Sequence, residues 1–179
     1  MRKQVILDTS VLIVLYHLNL LKYLNLIYNS VLLPKEVIKE FIRGPKDDSE
    51  YEKTKRYDFL EKFLLENQEW IKKCVDYARE DVEIYLKEGL DKGESEAIAQ
   101  NQANGNIHEV LIDENKGRKF AKNLNIKIHG VLYILAVMEL KFGIIDYHKS
   151  VHKAIEDLNA RFSQEIIDTV YANVREEFH

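Results

Sequence analysis

Val5-Ile6-Leu7 is a run with no polar face. It ends in the carboxylate of Asp8 and passes through Thr9-Ser10 into a second apolar series from Val11. No other stretch constrains the fold as much. Apolar residues in succession, two of them β-branched and followed by residues that can open a helix, suit a strand buried on both faces. Such strands belong to parallel sheets covered by helices. Asp8 then stands at the carboxyl end of a central strand, where open α/β sheets take up their ligands.

The rest of the chain repeats the alternation. Val11, Leu12, Leu15 and Leu18 recur at helical spacing, and residues 20–28 carry a second short apolar pattern. Ser30-Val31-Leu32-Leu33 reads as a second strand, with Pro34 in the first turn of a helix that points Val37, Ile38, Phe41 and Ile42 inward and stops at Gly44-Pro45. Residues 46–69 are the most polar part, an acidic loop leading into an amphipathic helix with Tyr57, Leu60, Phe63 and Leu64 on its apolar side. Trp70-Ile71 reads as a short strand, residues 77–86 as an amphipathic helix, and 94–104 as a helix of small residues. Val110-Leu111-Ile112 is then a third apolar strand that meets Asp113-Glu114 as the first strand meets Asp8. A helix over 115–124, a short strand over 126–128 and a strongly apolar helix over 131–140 follow, and the tail over 144–178 reads as two helices broken near Arg161-Phe162-Ser163, with Ser163 as an N-cap. Strands alternating with helices predict an α/β fold of βαβ units around a mostly parallel sheet. The expected organisation is one domain over 1–179, with 141–179 a helical extension packed on it.

Composition agrees with that size of core. At 179 residues and 46% hydrophobic, the chain can bury roughly 70% of its unfolded surface without staples. The single cysteine, Cys74, allows no intrachain disulfide and reads as a small buried residue; a reducing, cytoplasmic setting is the expectation, with no leader and no membrane span. A net charge of −4 argues against wholesale wrapping of nucleic acid, but a local basic strip beside an acidic pocket remains compatible with it. The glycine-rich phosphate loops and the Gly-x-Ser-x-Gly elbow are missing, which removes the hydride-transfer, kinase and serine-hydrolase classes.

Asp8, Glu40, Glu94 and Asp113 fall where strand ends and helix faces should converge. Singly, each has an ordinary explanation. Asp8 and Asp113 can cap the helices that follow them, Glu94 can close a capping box with Asp91, and Glu40 can be a solvated helix residue. Together they are harder to dismiss, because carboxylates sharing a pocket raise one another's pKa unless a cation neutralises them. An all-oxygen set suits Mg²⁺ or Mn²⁺ better than zinc, and such a site serves phosphodiester hydrolysis. Glu96 is the rival to Glu94. Because Glu94 shares a helix face with Ala97 and Ile98, Glu94 is placed inward and Glu96 is left as a charge at the helix start.

Four blocks occurring in order, Val5-Ile6-Leu7-Asp8-Thr9-Ser10, Leu33-Pro34 through Val37 to Glu40, Gly93-Glu94-Ser95-Glu96-Ala97-Ile98-Ala99, and Leu111-Ile112-Asp113-Glu114-Asn115 with Gly117-Arg118-Lys119, resemble the successive motifs of PIN-domain nucleases. The Gly-Glu-Ser-Glu-Ala-Ile block and the later His129-Gly130-Val131-Leu132 are similar to a branch related to VapC-type toxins. The resemblance implies a three-layer α/β/α PIN-like fold and a Mg²⁺- or Mn²⁺-dependent endoribonuclease. Asp8, Asp113 and Glu94 would hold the metal, Glu40 would complete the acidic set, and Ser10 would support it, with Glu114 the alternative to Asp113. It implies an RNA substrate and leaves open an antitoxin partner and a homodimer. A non-catalytic PIN-like module that binds RNA or protein is the alternative of a different class.

Lys35, Lys39, Arg43, Lys116, Arg118, Lys119 and Lys122 surround this set in sequence. Arg43, Arg118 and Lys119 are the candidates for binding RNA phosphates. His148 and His152, four residues apart, read as a solvated pair rather than a metal site.

Overall fold

A computed structural model describes residues 3–74, 79–106 and 108–178. Five parallel strands, β1 (Lys3–Leu7), β2 (Tyr28–Leu33), β3 (Ile71–Lys73), β4 (Glu109–Leu111) and β5 (Lys127–His129), lie in the order β3-β2-β1-β4-β5. The chain therefore winds outward from β1 in one direction through β2 and β3, and in the other through β4 and β5. The strand order reverses beside β1, and the crevice this leaves at the carboxyl ends of β1 and β4 is where such sheets bind ligands. Leu7 pairs with Leu111, and the Asp8 amide donates to the Leu111 carbonyl at 3.0 Å, so Asp8 and Asp113 sit on one sheet edge.

Alternation along the strands feeds two cores. Val5, Leu7, Val31, Leu33 and Leu111 face one layer, built by α1 (Thr9–His17), α2 (Leu24–Ile27, after a 3₁₀ turn at Leu21–Tyr23), α3 (Lys35–Arg43) and α4 (Glu50–Glu66), and by the helices that follow residue 130. Ile6, Val110 and Ile112 face the other, built by α5 (Arg79–Lys87), α6 (Lys92–Ala103) and α7 (Asn115–Asn123). The result is the three-layer α/β/α arrangement read from the sequence, with an all-parallel sheet. The continuous apolar runs of β1 and β4 are what burial on both faces requires.

The C-terminal elements are α8 (Val131–Leu140), α9 (Tyr147–Leu158) and α10 (Gln164–Glu177). Ser163 caps α10 as expected, accepting from the Ile166 amide. Polar contacts tie these three helices to one another. Tyr147 donates to the Ile167 carbonyl at 2.9 Å, Tyr171 to Glu139 Oε1 at 2.8 Å, and the Tyr147 amide to Glu139 Oε2.

Local expectations differ in small ways. Pro34 is the N-cap of α3 and not a residue of its first turn, because its ψ of 152° keeps it extended. The helix expected over 77–86 is α5, described over Arg79–Lys87; Tyr77 itself lies outside the described residues. Cys74 is half-buried, its amide donates to the Leu33 carbonyl, and burial pushes its thiol up to about 12. Among the described residues no single helix is long and apolar enough to cross a membrane.

Candidate functional site

Each of the expected acids uses a carboxylate oxygen for local structure. Asp8 is 3% exposed, and its Oδ2 accepts from Ser10 Oγ at 2.7 Å. Glu94 is 1% exposed, and its Oε2 accepts from the Asp91 amide at 3.3 Å while Asp91 Oδ1 accepts from the Glu94 amide at 2.8 Å. Glu40 Oε2 accepts from Thr9 Oγ1 at 2.6 Å. Asp113 Oδ1 accepts from the Val131 amide at 2.9 Å. The capping explanation and the site explanation are thus compatible, since a carboxylate has two oxygens to give.

The capping pattern itself is not the expected one. Asp8 is the N-cap of α1 by backbone position but makes no side-chain cap there, and Asp113 caps α8 across the sheet edge instead of α7, which follows it. The Asp91–Glu94 capping box is present.

What remains after this anchoring is unusual. Asp8 Oδ1 and Glu94 Oε1 are buried and have no hydrogen-bond partner among the described residues. A buried oxygen left in that state costs free energy that native structures seldom leave uncompensated. The backbone leaves room for both oxygens. A Cβ at Gly93 would stand 2.8 Å from Glu40 Oε2, 2.9 Å from Thr9 Oγ1 and 3.2 Å from Asp8 Oδ1, so three oxygens from the end of β1, α1 and α3 converge on the start of α6. A Cβ at Gly117, in α7, would fall on Glu94 Oε1.

Burial dominates the electrostatics. It pushes the Asp8 carboxyl up to about 7, helped by the nearby charges of Asp91 and Asp113 and opposed by the Ser10 hydrogen bond. It pushes Glu94 up to about 8, helped by Asp91, Asp8 and Glu114, and Asp113 to about 6, opposed by the Val131 amide and Arg118. Glu40 is raised for the same first reason. For an acid, a raised folded-state pKa means that stability is fully present below the unfolded value and is lost as pH rises through the folded one. Metal-free protein is therefore expected to melt at progressively lower temperature between about pH 5 and pH 9, and added Mn²⁺ to flatten that slope. Thermal melts in chelator and in Mn²⁺ across this range check it.

Sequence reasoning passed over Asp91 as a candidate ligand, because it is an N-cap. Its carboxylate, with those of Glu94 and Glu114, offers oxygens lying within 4.8 Å of one another. An N-cap and the residue three later emerge at the same end of a helix, and that spacing was the available signal. Glu114, the alternative to Asp113, is exposed and belongs to this group, whereas Asp113 does not. Thr9 was also missed; its hydroxyl holds Glu40. The donors are all oxygen and two are orphaned, a set that fits a hard divalent cation such as Mg²⁺ or Mn²⁺.

Glu96 corrects the face argument. It is 8% exposed and not a solvated charge, and its Oε2 accepts from the Glu36 amide at 2.6 Å, holding the start of α3. That bond gives it a structural role. Glu96→Ala is expected to cost about 1–3 kcal/mol of stability while leaving Mn²⁺ affinity within about twofold of wild type, measured by denaturation and metal titration on one preparation.

Of the cations, Arg43 is exposed with its guanidinium 3.9 Å from Glu40 Oε1, and Arg118 donates to the Ile112 carbonyl at 2.7 Å. Lys119 is exposed on α7, and Lys39 pairs with Glu36. His148 and His152 are exposed on α9 and join no group of metal-ligating side chains among the described residues.

Compared with known proteins, residues 4–176 match a family model described as a PIN domain. No curated protein matches the chain.

Proposed function

The chain belongs to the PIN-domain family, whose members are generally nucleases, and we propose that it is a divalent-metal-dependent endoribonuclease acting on single-stranded RNA. The observation that carries this reading is the pair of orphaned oxygens, Asp8 Oδ1 and Glu94 Oε1, on carboxylates whose second oxygens are already tethered by hydrogen bonds. Asp8, Glu94 and Asp113 would hold the cation, with Asp91 and Glu114 at the exposed side of the cluster. Bound there, a cation supplies Lewis-acid chemistry, withdrawing charge from a phosphate oxygen and lowering the pKa of water.

The chain's own residues do the remainder. Ser10 fixes Asp8 Oδ2 and so directs Oδ1 to the cluster, while the capping box does the same for Glu94. Glu40 is anchored through Oε2 by Thr9 and has a carboxyl raised by burial, which suits Oε1 to take the proton that water loses as it attacks phosphorus. Arg43 on α3 and Lys119 on α7 are exposed cations on helices that border the cluster, and they would meet the phosphates of the strand.

The test is cleavage of a single-stranded RNA by protein stripped with EDTA and then supplied with Mn²⁺ or Mg²⁺. Cleavage is expected only after the metal is returned. Undiminished cleavage in chelator, or none in either metal, would overturn the reading. A toxin role is its finer form, supported by the Gly-Glu-Ser-Glu-Ala-Ile block; it requires that expression arrest growth and that Asp8→Asn relieve the arrest.

A further inference from the structure

Beside the carboxylate cluster, on the other side of Asp113, lies a pocket of about 480 Å³. One wall comes from the sheet edge and α7, with Asp113 and Arg118. The opposite wall comes from the C-terminal segment, with Arg161 and Phe162 in the loop before α10 and Val170 within it. The tail expected from sequence to be a packed extension thus also encloses space next to the reacting centre. A pocket of this size accommodates a small organic ligand.

Its chemistry is specific. Arg118 is held in place by the hydrogen bond to the Ile112 carbonyl, which gives a pre-positioned guanidinium at the edge of an otherwise acidic cluster. Arg161 is exposed across the pocket. Between them the His129 and Tyr133 rings stack at 3.7 Å with 21° between their planes, and Tyr133 is steadied by its hydroxyl donating to Glu177 Oε2 at 3.3 Å. Guanidinium groups recognise phosphate, and flat aromatic faces with Phe162 recognise an unpaired base. A nucleotide presents an anion and a planar ring together.

We propose that this pocket receives one nucleotide of the single-stranded substrate adjoining the bond that is cut. Arg118 and Arg161 take its phosphate, and Phe162 with the His129–Tyr133 pair takes its base. The inference rests on the nuclease reading and assigns the C-terminal segment to substrate selection. A double-stranded RNA does not satisfy the pocket, because its bases are not free to leave the stack.

The experiment uses full-length protein and single-stranded RNAs that vary one nucleotide next to the cleaved bond. Arg161→Ala, Phe162→Ala and the pocket-filling Val170→Trp are each expected to raise KM about tenfold, to leave kcat within about threefold, and to flatten the preference among bases. Arg161 is exposed, so its variant reports even if a change at Phe162 disturbs packing. Wild-type KM and unchanged base preference in Arg161→Ala and Val170→Trp would overturn the proposal. If wild-type protein cleaves no RNA, the nuclease reading fails separately, and titration in EDTA with the four nucleoside 5′-monophosphates decides the pocket. Binding that Arg161→Ala weakens supports it, and binding of none overturns it.

Discussion

Asp8→Asn is expected to lower RNA cleavage by at least about 100-fold while raising the thermal midpoint of the metal-free protein at pH 8 by about 3–8 °C. The two effects have opposite signs because one residue serves function at the expense of stability. Asp8 is buried with Oδ1 unpartnered, and burial holds its carboxyl at about 7, far above the unfolded value of 3.8. At pH 8 the native state therefore keeps a charge that the unfolded chain carries more cheaply, at a cost on the order of 4 kcal/mol. Asparagine removes that charge and can still accept the Ser10 hydrogen bond, although its amide hydrogens inherit part of the desolvation cost. At pH 5 Asp8 is already protonated, and the gain should vanish. A variant destabilised equally at both pH values would mean that Asp8 serves the fold and not a cation. Activity assays and melts at pH 5 and pH 8 separate these outcomes.

Gly117→Ala is the second large effect, and ordinary helix energetics argue against it. Gly117 lies inside α7, where alanine is normally the better residue by about 1 kcal/mol. Here the added methyl would fall on Glu94 Oε1 and stand 3.1 Å from Ile112 Cγ2. Glu94 has little room to retreat, since its Oε2 is committed to the Asp91 amide and α6 is buried from Gly93 to Asn101. Displacing that oxygen removes one of the proposed ligands, so Mn²⁺ affinity and cleavage are expected to fall by roughly 10- to 100-fold, the scale of disturbing the support of a metal site. Circular dichroism should report a folded protein throughout. Wild-type metal affinity in Gly117→Ala would show that Glu94 Oε1 is not a ligand.

Much of this was legible in the residues. Apolar runs ending in acid, at Leu7-Asp8 and at Ile112-Asp113, give both the parallel sheet and the edge on which the site sits, because burial on both faces and a polar strand end each leave a local signature. Long-range consequences were not legible. Asp113 caps α8, eighteen residues on, through the Val131 amide, and nothing in the spacing announces that partner. Glu96 was left as a charge at the helix start because a face argument presumes an exposed face, whereas α6 is buried from Gly93 to Asn101 and its periodicity there carries no direction. Asp91 and Thr9 look like routine helix-start residues, and only the fold turns them toward Glu94 and Glu40. The pocket behind Asp113 joins residues from opposite ends of the second half of the chain, so no window of sequence contains it.

Titration calorimetry of Mn²⁺ into metal-free protein at pH 7.5, repeated in two buffers of different ionisation heat, tests the central claim most directly. Carboxyls at about 7 and about 8 are partly protonated there, and a cation that binds them must displace those protons. Saturable binding with release of roughly one proton is expected in the wild type, weakened at least about tenfold in Asp8→Asn. Binding without proton release, or equal binding by wild type and Asp8→Asn, would contradict the account.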